Sequence, residues 1–461
     1  MNWLYARAKG GKFIVRIGDM DLVRGRTETV HRILDDVRWL EVDWDEGPDI
    51  GGTSSPYLQS GRKDRYVKVL DKLRSSPRVY ATSDVEEPDV AGDDDSDATP
   101  AKGRAHAKGG AHLEADEDTL ARWIAEGRPY VLRFRLERSS PTDFKDLVTG
   151  VRSIDFSDVE DPIVQRADGS PSPFLAAVVD DADMKITHAF RPDSECVRSA
   201  MEASLADALG MRTPKVGHFP RLTGADGKPY SRRHGAFTVD SFKKLGYLPR
   251  TLSNYLTHLA WSRRGIGDKF DVRDLEEKFH VAGMRKDTLP FVFTELNSLS
   301  TAYIVEEDLE HLVDRVLPYL IEGRFLEDEY DREKLKRILD TIRPSLKCLS
   351  EIVKYVDIFF GDTVIEPRGK EVLKDESAAR VLRLFREHLS ATPELDETKF
   401  DSVLEQMLAE TGFDADRLML PIRAALTGVT QGDDLDKIAS ILGSRVCIGK
   451  VDRVLADERS R

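Results

Sequence analysis

The chain has 461 residues, of which 40% are hydrophobic and 33% charged, and a formal net charge of −14. That length suits roughly three domains of ordinary size, and the composition is that of a soluble globular protein with apolar cores. The excluded classes follow: no apolar run approaches the roughly 20 residues that span a bilayer, and MNWLYARAKGGKF lacks a secretory pattern, so a cytoplasmic location is expected.

Cys196, Cys348 and Cys447 are far apart and form no CxxC pair, which argues against a disulfide framework and against a cysteine-held zinc. His106 and His112 lie in a glycine- and alanine-rich stretch without nearby cysteine, and no metal is expected there. The acidic balance does not announce a nucleic-acid binder. Lys and Arg gathered on one face could still hold RNA, but such gathering is not legible in sequence.

Along the chain, Lys12 to Ile17 (KFIVRI) is a branched-apolar run after Gly-Gly and predicts a strand. Glu28 to Leu40 carries Val30, Ile33, Leu34 and Val37 at helical spacing, so the chain opens as an α/β unit. A second helix is predicted over Arg62 to Leu73, with Tyr66, Val69, Leu70 and Leu73 on one face. From 83 to 118 large apolar residues nearly vanish and Asp93 to Asp95 form a charge run, which predicts a disordered stretch.

Order returns with Leu120 to Ala125. Tyr130 to Leu136 alternates like a half-buried strand, and the continuous apolar run Phe174 to Val179 reads as a buried one. Ser199 to Leu209 predicts a helix. Beyond about Leu245 the pattern is helical: Leu252, Tyr255, Leu256 and Leu259 share a face, as do Leu335, Ile338, Leu339 and Ile342. Phe400, Val403, Leu404, Met407 and Leu408 form another stripe, closed by Gly412.

The segment Gly224 to Gly235, GADGKPYSRRHG, is glycine-flanked and basic, with Lys228, Arg232, Arg233 and His234 close together. A mobile cationic loop of this kind suits a triphosphate, because it can close on developing negative charge and then release product. A solvated surface loop is the alternative reading of these residues taken alone.

The same loop resembles the KLSKR-H-G signature loop of bacterial glutamyl-tRNA synthetases, which are class I aminoacyl-tRNA synthetases. Four further segments resemble that family in the right order. They are NWLYARAKGGKFIVRI with WLEVDWDEGP, then SDVEDPIVQRADGSPSPFLAAVVDDADMKITHAFR, then FKKLGYLPRTLSNYLTHLAWS, and finally LMLPIRAALTG. The resemblance implies an α/β Rossmann-type catalytic domain over 1–75 and 171–245, split by an acceptor-stem insertion over 76–170. It implies further a stem-contact domain over 246–320 and an all-α anticodon-binding domain over 321–461.

It also implies ATP, with Mg2+, as co-substrate, glutamate and tRNA(Glu) as partners, and a monomer. By resemblance Arg191 takes the substrate's side-chain carboxylate, Ser231, Arg232, Arg233 and His234 meet ATP, and Pro229-Tyr230-Ser231-Arg232-Arg233 is the signature motif. Arg232 stands at the position of its catalytic lysine.

The departures are concentrated where substrates bind. Gly18 stands where the family's R-I-E-D-T-D segment has the carboxylate for the substrate ammonium, a loss that typically costs about 2–5 kcal/mol. Pro173-Phe174 replaces a tyrosine-led pair, Pro192-Asp193-Ser194-Glu195 replaces G-E-D-H, and Pro229 replaces a lysine. Arg232 keeps charge but not the compact ammonium geometry. The resemblance puts the HIGH-type turn upstream of Met1. The expectation is a glutamyl-tRNA synthetase-like chain whose ligation is impaired or lost, with a non-catalytic tRNA- or partner-binding scaffold as the alternative.

Overall fold

The computed structural model describes residues 1–20, 27–83, 114–231, 234–235, 238–261, 269–326, 330–361, 363–432 and 434–459. The chain divides into two compact units: Met1–Phe237 with Leu252–Val292, and Thr238–Thr251 with Phe293–Arg461.

The first unit opens with helix α1 (Asn2–Ala8) and an extended segment over 13–17. The strand expected at Lys12 to Ile17 is present as strand-like pairing rather than a continuous ladder. Val15 N–H donates to Glu46 O and Ile17 N–H to Tyr57 O, each at 2.9 Å, so the segment is held from both sides by turns that are themselves short. Helix α2 (Thr27–Trp39) follows. Of its expected apolar stripe only Leu34 is buried, and Ile33 is 41% exposed, so the periodicity marks a surface helix. Helix α3 (Lys63–Leu73) buries Tyr66, Val69, Leu70 and Leu73 as its spacing predicts.

Strand β1 (Val79–Thr82) is followed by helix α4 (Glu117–Ala125), capped by Asp116, which accepts from Thr119 N–H. The expected disordered stretch therefore ends too late: Asp116 to Asp118 already cap and begin this helix. Residues 84–113, which include Asp93 to Asp95 and both His106 and His112, lie outside the described residues.

Strands β2 (Val131–Phe134), β3 (Thr142–Asp146), β4 (Gly150–Ile154) and β5 (Ile163–Gln165) form an antiparallel sheet in the order β1-β2-β5 and a separate β3–β4 hairpin. Strand β2 is buried on both faces and not one. Arg133, expected to face water, is 0% exposed, and its Nη1 donates to Asp161 O at 2.8 Å. The Glu160 carboxylate, 3.7 Å from the same Nη1, offsets part of the cost of burying the guanidinium.

Phe174 to Val179 is not a strand but part of helix α5 (Pro173–Asp183). A run buried all round has no period to separate the two conformations. The deciding signal is local. Ser172 is an N-cap accepting from Leu175 N–H while its hydroxyl donates to Ile163 O, and Pro173 fills the first helical position, where proline is preorganised.

A parallel pair completes the site's frame. Strand β6 (His188–Pro192) pairs with β7 (Lys215–Phe219), and helix α6 (Cys196–Ala208) makes the crossover, a β-α-β unit. Beyond it, strand β8 (Leu222–Thr223) pairs in parallel with Leu289–Pro290.

The second unit is helical. Helices Phe293–Glu306, Leu309–Glu322, Arg332–Ile342, Glu376–Ser390, Glu397–Thr411, Ala415–Thr427 and Leu435–Arg459 enclose one apolar core. The stripes read from sequence face that core: Leu335, Ile338, Leu339, Ile342, Phe400, Val403 and Met407 are buried. Gly412 ends its helix in the left-handed region at φ 66°, as a glycine C-cap should. No described helix is long and apolar enough to cross a membrane.

Candidate functional site

Helix α5 presents three aspartates, and the chain brings arginines to each. Asp180, fully buried, accepts from Arg62 Nε at 2.7 Å, from Tyr66 OH at 2.8 Å and from Gln59 Nε2 at 2.9 Å. Asp183 holds Arg65 through two hydrogen bonds. Asp181 accepts from Arg16 Nη1 at 2.8 Å on one oxygen and from Arg191 Nη2 at 3.2 Å on the other.

Arg191 lies on β6, and α6 supplies its remaining partners from one helical turn. Its Nη1 donates to Glu202 Oε2 at 2.5 Å and to Ser199 Oγ at 3.2 Å, while Arg198 holds the other Glu202 oxygen at 2.9 Å. Ser199 and Glu202 share a face because they are three residues apart on a helix. In this ribbon five guanidinium groups (Arg16, Arg62, Arg65, Arg191, Arg198) meet four carboxylates (Asp180, Asp181, Asp183, Glu202), and Glu195 adds a fifth negative charge that acts on Arg191.

Burial pushes the Asp181 carboxyl up, against the pull of Arg16 and Arg191. For Arg191, burial opposes the charge, but Glu202 and Asp181 outweigh it and hold the guanidinium protonated. Of its five N–H donors three are engaged. The Nε–H and one Nη2 hydrogen have no acceptor among the described residues. These are adjacent donors, the geometry that receives a carboxylate bidentately. Arg191 also borders a cavity of about 250 Å³ lined by Lys145, Arg212 and Lys215 and, on the acidic side, by Asp143, Asp181 and Glu202. The arrangement suits one small anionic group.

Position 18 is different. A Cβ built on Gly18 would sit 3.2 Å from Gln59 Oε1, and Gln59 is itself pinned to Asp180. The space beside the backbone there is taken by a neutral amide. Pro173 and Phe174 are absorbed into the start of α5, and Asp193 to Glu195 form a 3-10 turn in which Asp193 pairs with Arg152 of β4.

The glycine-flanked loop forms a hairpin up to Ser231. Gly224 N–H donates to Lys228 O at 2.8 Å, Tyr230 N–H to Leu222 O at 3.0 Å, and Pro229 bridges Thr223. His234 folds back over it. Its Nε2 meets Asp226 at 3.1 Å, its Nδ1 accepts from Ser231 N–H at 3.0 Å, and its ring stacks on Tyr230 with centroids 5.4 Å apart. Gly224 is required for that approach, since a Cβ there would lie 2.3 Å from the imidazole. Tyr230, Ser231 and His234 are thus brought together. Arg232 and Arg233 lie outside the described residues.

Sequence reading missed Asp146, Asp181, Ser199, Glu202 and His218, all buried and polar at or beside Arg191. No local pattern announces them, because they come from four separate elements. Among the described residues no group of three or more His, Cys, Asp or Glu side chains is placed to hold a metal ion.

The comparisons with known proteins agree along the whole chain. Residues 1–298 match the family described as "tRNA synthetases class I (E and Q), catalytic domain", and residues 311–455 match "Anticodon binding domain". The chain is 33% identical to a glutamate–tRNA ligase of Heliobacterium modesticaldum over 457 residues, covering 98% of this chain and 92% of the relative. It is 32% identical to one from Desulforamulus reducens, with 98% and 95% covered. A solved glutamate–tRNA synthetase of Elizabethkingia anophelis shares the fold, with a TM-score of 0.80 at 20% identity over 99% of this chain and 95% of that one.

Proposed function

The chain belongs to the class I tRNA synthetases for glutamate and glutamine, and from that premise we propose a glutamyl-tRNA synthetase-like protein that binds glutamate and tRNA(Glu) while activating glutamate poorly. The family reaction joins glutamate to ATP as glutamyl-adenylate, releasing pyrophosphate, and then passes the glutamyl group to the tRNA 3′ end. In this reading Arg191 takes the side-chain carboxylate on its two unengaged donors. Ser231, Arg232, Arg233 and His234 face the ATP phosphates, with Arg232 at the place of the loop's catalytic lysine. Segment 76–170 meets the acceptor stem, 246–320 the stem beyond it, and 321–461 the anticodon.

In this reading Mg2+ arrives bound to the triphosphate; among the described residues no cluster of His, Cys, Asp or Glu is placed to hold a metal ion. The α-ammonium is where the site falls short. The observation that carries the reading is the pair Gly18 and Gln59: a neutral amide pinned by Asp180 fills the space beside a position that has no side chain. Arg191 would still bind glutamate by its far end, but the α-carboxylate would be poorly aligned for attack on ATP, and misplacement of an attacking group lowers rate steeply.

ATP–pyrophosphate exchange driven by glutamate, with tRNA(Glu) present, tests this. The expected rate is about 100-fold or more below that of a 33%-identical relative, since a lost charge partner is worth about 2–5 kcal/mol. Exchange at the relative's rate would overturn the impairment. Binding of tRNA(Glu) is expected to be salt-sensitive and to exceed that of unrelated RNA in gel shifts. Equal binding of both would remove the tRNA assignment.

A further inference from the structure

Asp146, at the end of β3, accepts four hydrogen bonds. Its Oδ1 takes the N–H groups of Val148 and Thr149 at 2.8 Å each, and its Oδ2 takes His218 N–H at 3.0 Å and His218 Nδ1 at 2.5 Å. Burial works against the charge. The His218 hydrogen bond and the two turn amides outweigh it and keep the carboxyl below its usual range. An acceptor saturated with N–H donors requires the His218 proton on Nδ1.

The other ring nitrogen then faces Ser199 Oγ at 3.0 Å, and Oγ in turn lies 3.2 Å from Arg191 Nη1. Arg191 can only donate, so Oγ accepts there. With the imidazole singly protonated on Nδ1, the serine O–H, which has no other acceptor among the described residues, points at His218 Nε2, and every polarity from carboxylate to guanidinium follows. All three relay residues are buried, His218 completely.

We propose that Asp146, His218 and Ser199 are positioning residues that set the rotation of the Arg191 guanidinium, so that its Nε and Nη2 donors face the substrate and favour a carboxylate over a carboxamide. The proposal rests on the reading of Arg191 as the carboxylate-binding residue. Glu202 and Asp181 alone could hold the guanidinium in several rotations, because a carboxylate accepts from many directions. A hydroxyl oriented from behind by a tautomer-fixed imidazole offers only one. With the fork fixed, a carboxylate meets two donors with two acceptors, whereas a carboxamide brings its own NH2 against one of them.

The same three side chains have the order of a nucleophile, a base and its orienting acid. The polarity speaks against that use. The Arg191 N–H draws on the oxygen lone pair that attack would need, and Ser199 is only 4% exposed.

Calorimetric titration of the full chain with L-glutamate, L-glutamine and ATP separates the outcomes. Ser199→Ala is expected to weaken glutamate binding about tenfold, the scale of one hydrogen bond to a charged group, and to narrow the glutamate-to-glutamine ratio by a similar factor. ATP affinity should stay unchanged, and the thermal midpoint should fall by a few degrees as His218 Nε2 loses its partner. Ser199→Thr, which keeps the hydroxyl, should restore both glutamate values.

Unchanged glutamate affinity and selectivity in Ser199→Ala would overturn the relay, and so would covalent capture of Ser199 by a fluorophosphonate. Arg191→Lys separates the two readings: if it binds glutamate as the parent chain does, the carboxylate role of Arg191 fails, and the relay with it. Nitrogen-15 spectra of His218 give a check that needs no ligand. A proton on Nε2 instead of Nδ1 would refute the relay whatever the affinities are.

Discussion

The two ends of the candidate site are built on opposite principles. At the carboxylate end, Arg191 is one member of a buried ribbon of arginines and carboxylates drawn from β6, α5, α6 and the first turns of the chain. At the loop end, Asp226, Ser231 and His234 bond to one another within a dozen residues, and Tyr230 stacks on His234 and against Phe291. A side chain whose bonds reach several elements cannot change without cost to the fold, whereas a hairpin closed by backbone hydrogen bonds can change side chains while keeping its shape. Pro229, which the resemblance places at a lysine position of the signature loop, bridges Thr223 through its backbone.

The largest expected effect would break the comparison outright. His218→Ala leaves the buried Asp146 carboxylate short of a hydrogen-bond donor and should cost about 3 kcal/mol or more. Thermal denaturation should show the loss, and a midpoint equal to that of the parent chain would mean the carboxylate end is not over-determined. Next comes Arg191→Lys, which keeps the charge and loses the fork. Glutamate affinity measured by equilibrium dialysis should fall about 100-fold, with tRNA affinity unchanged.

A smaller effect is expected in the loop. Gly224→Ala puts a Cβ against the His234 ring and should displace it from Asp226 and Tyr230. ATP affinity should drop about fivefold, the scale of one surface hydrogen bond, while glutamate affinity and thermal midpoint hold. Matched losses of both ligands would mean that the two ends are coupled.

The smallest effect concerns acid. Glu46, bonded to Tyr57 OH, Lys12, Thr53 and Ser54 N–H, has its carboxyl pulled down from 4.5 to about 2, chiefly by the Tyr57 hydroxyl. Its folded-state value is depressed, so its contribution is present above about pH 4.5 and lost as the pH falls toward 2. Acid unfolding of Glu46→Gln should be flatter across that window than that of the parent chain.

Much of the frame was legible in the residues. The stripes at 335–342 and 400–408 face a core, Gly412 ends its helix, and the segments resembling known synthetases occur in order. What failed did so for physical reasons. Phe174 to Val179 is buried on every side, so its hydrophobicity has no period, and only Ser172-Pro173 marks the helix. Arg133 carries a charge that is usually outside, yet it is buried with its Nη1 on Asp161 O and near the Glu160 carboxylate.

Arg191 and the signature loop could be named from resemblance alone. The relay behind Arg191 could not, since Asp146, Ser199 and His218 come together only when β3, α6 and β7 pack. None of them carries a local motif.

Asp146 has a last consequence, for modularity. The β3–β4 hairpin lies within the stretch 76–170 that reads as an insertion, a segment an engineer would trim to obtain a minimal catalytic core. Excising it would remove the Asp146 carboxylate that holds His218 Nδ1, and with it the support behind Ser199 and Arg191. The stretch that reads as a cassette in the sequence is a structural partner of β7 in the fold. Shortened versions of this chain should keep the hairpin or supply an equivalent acid to His218.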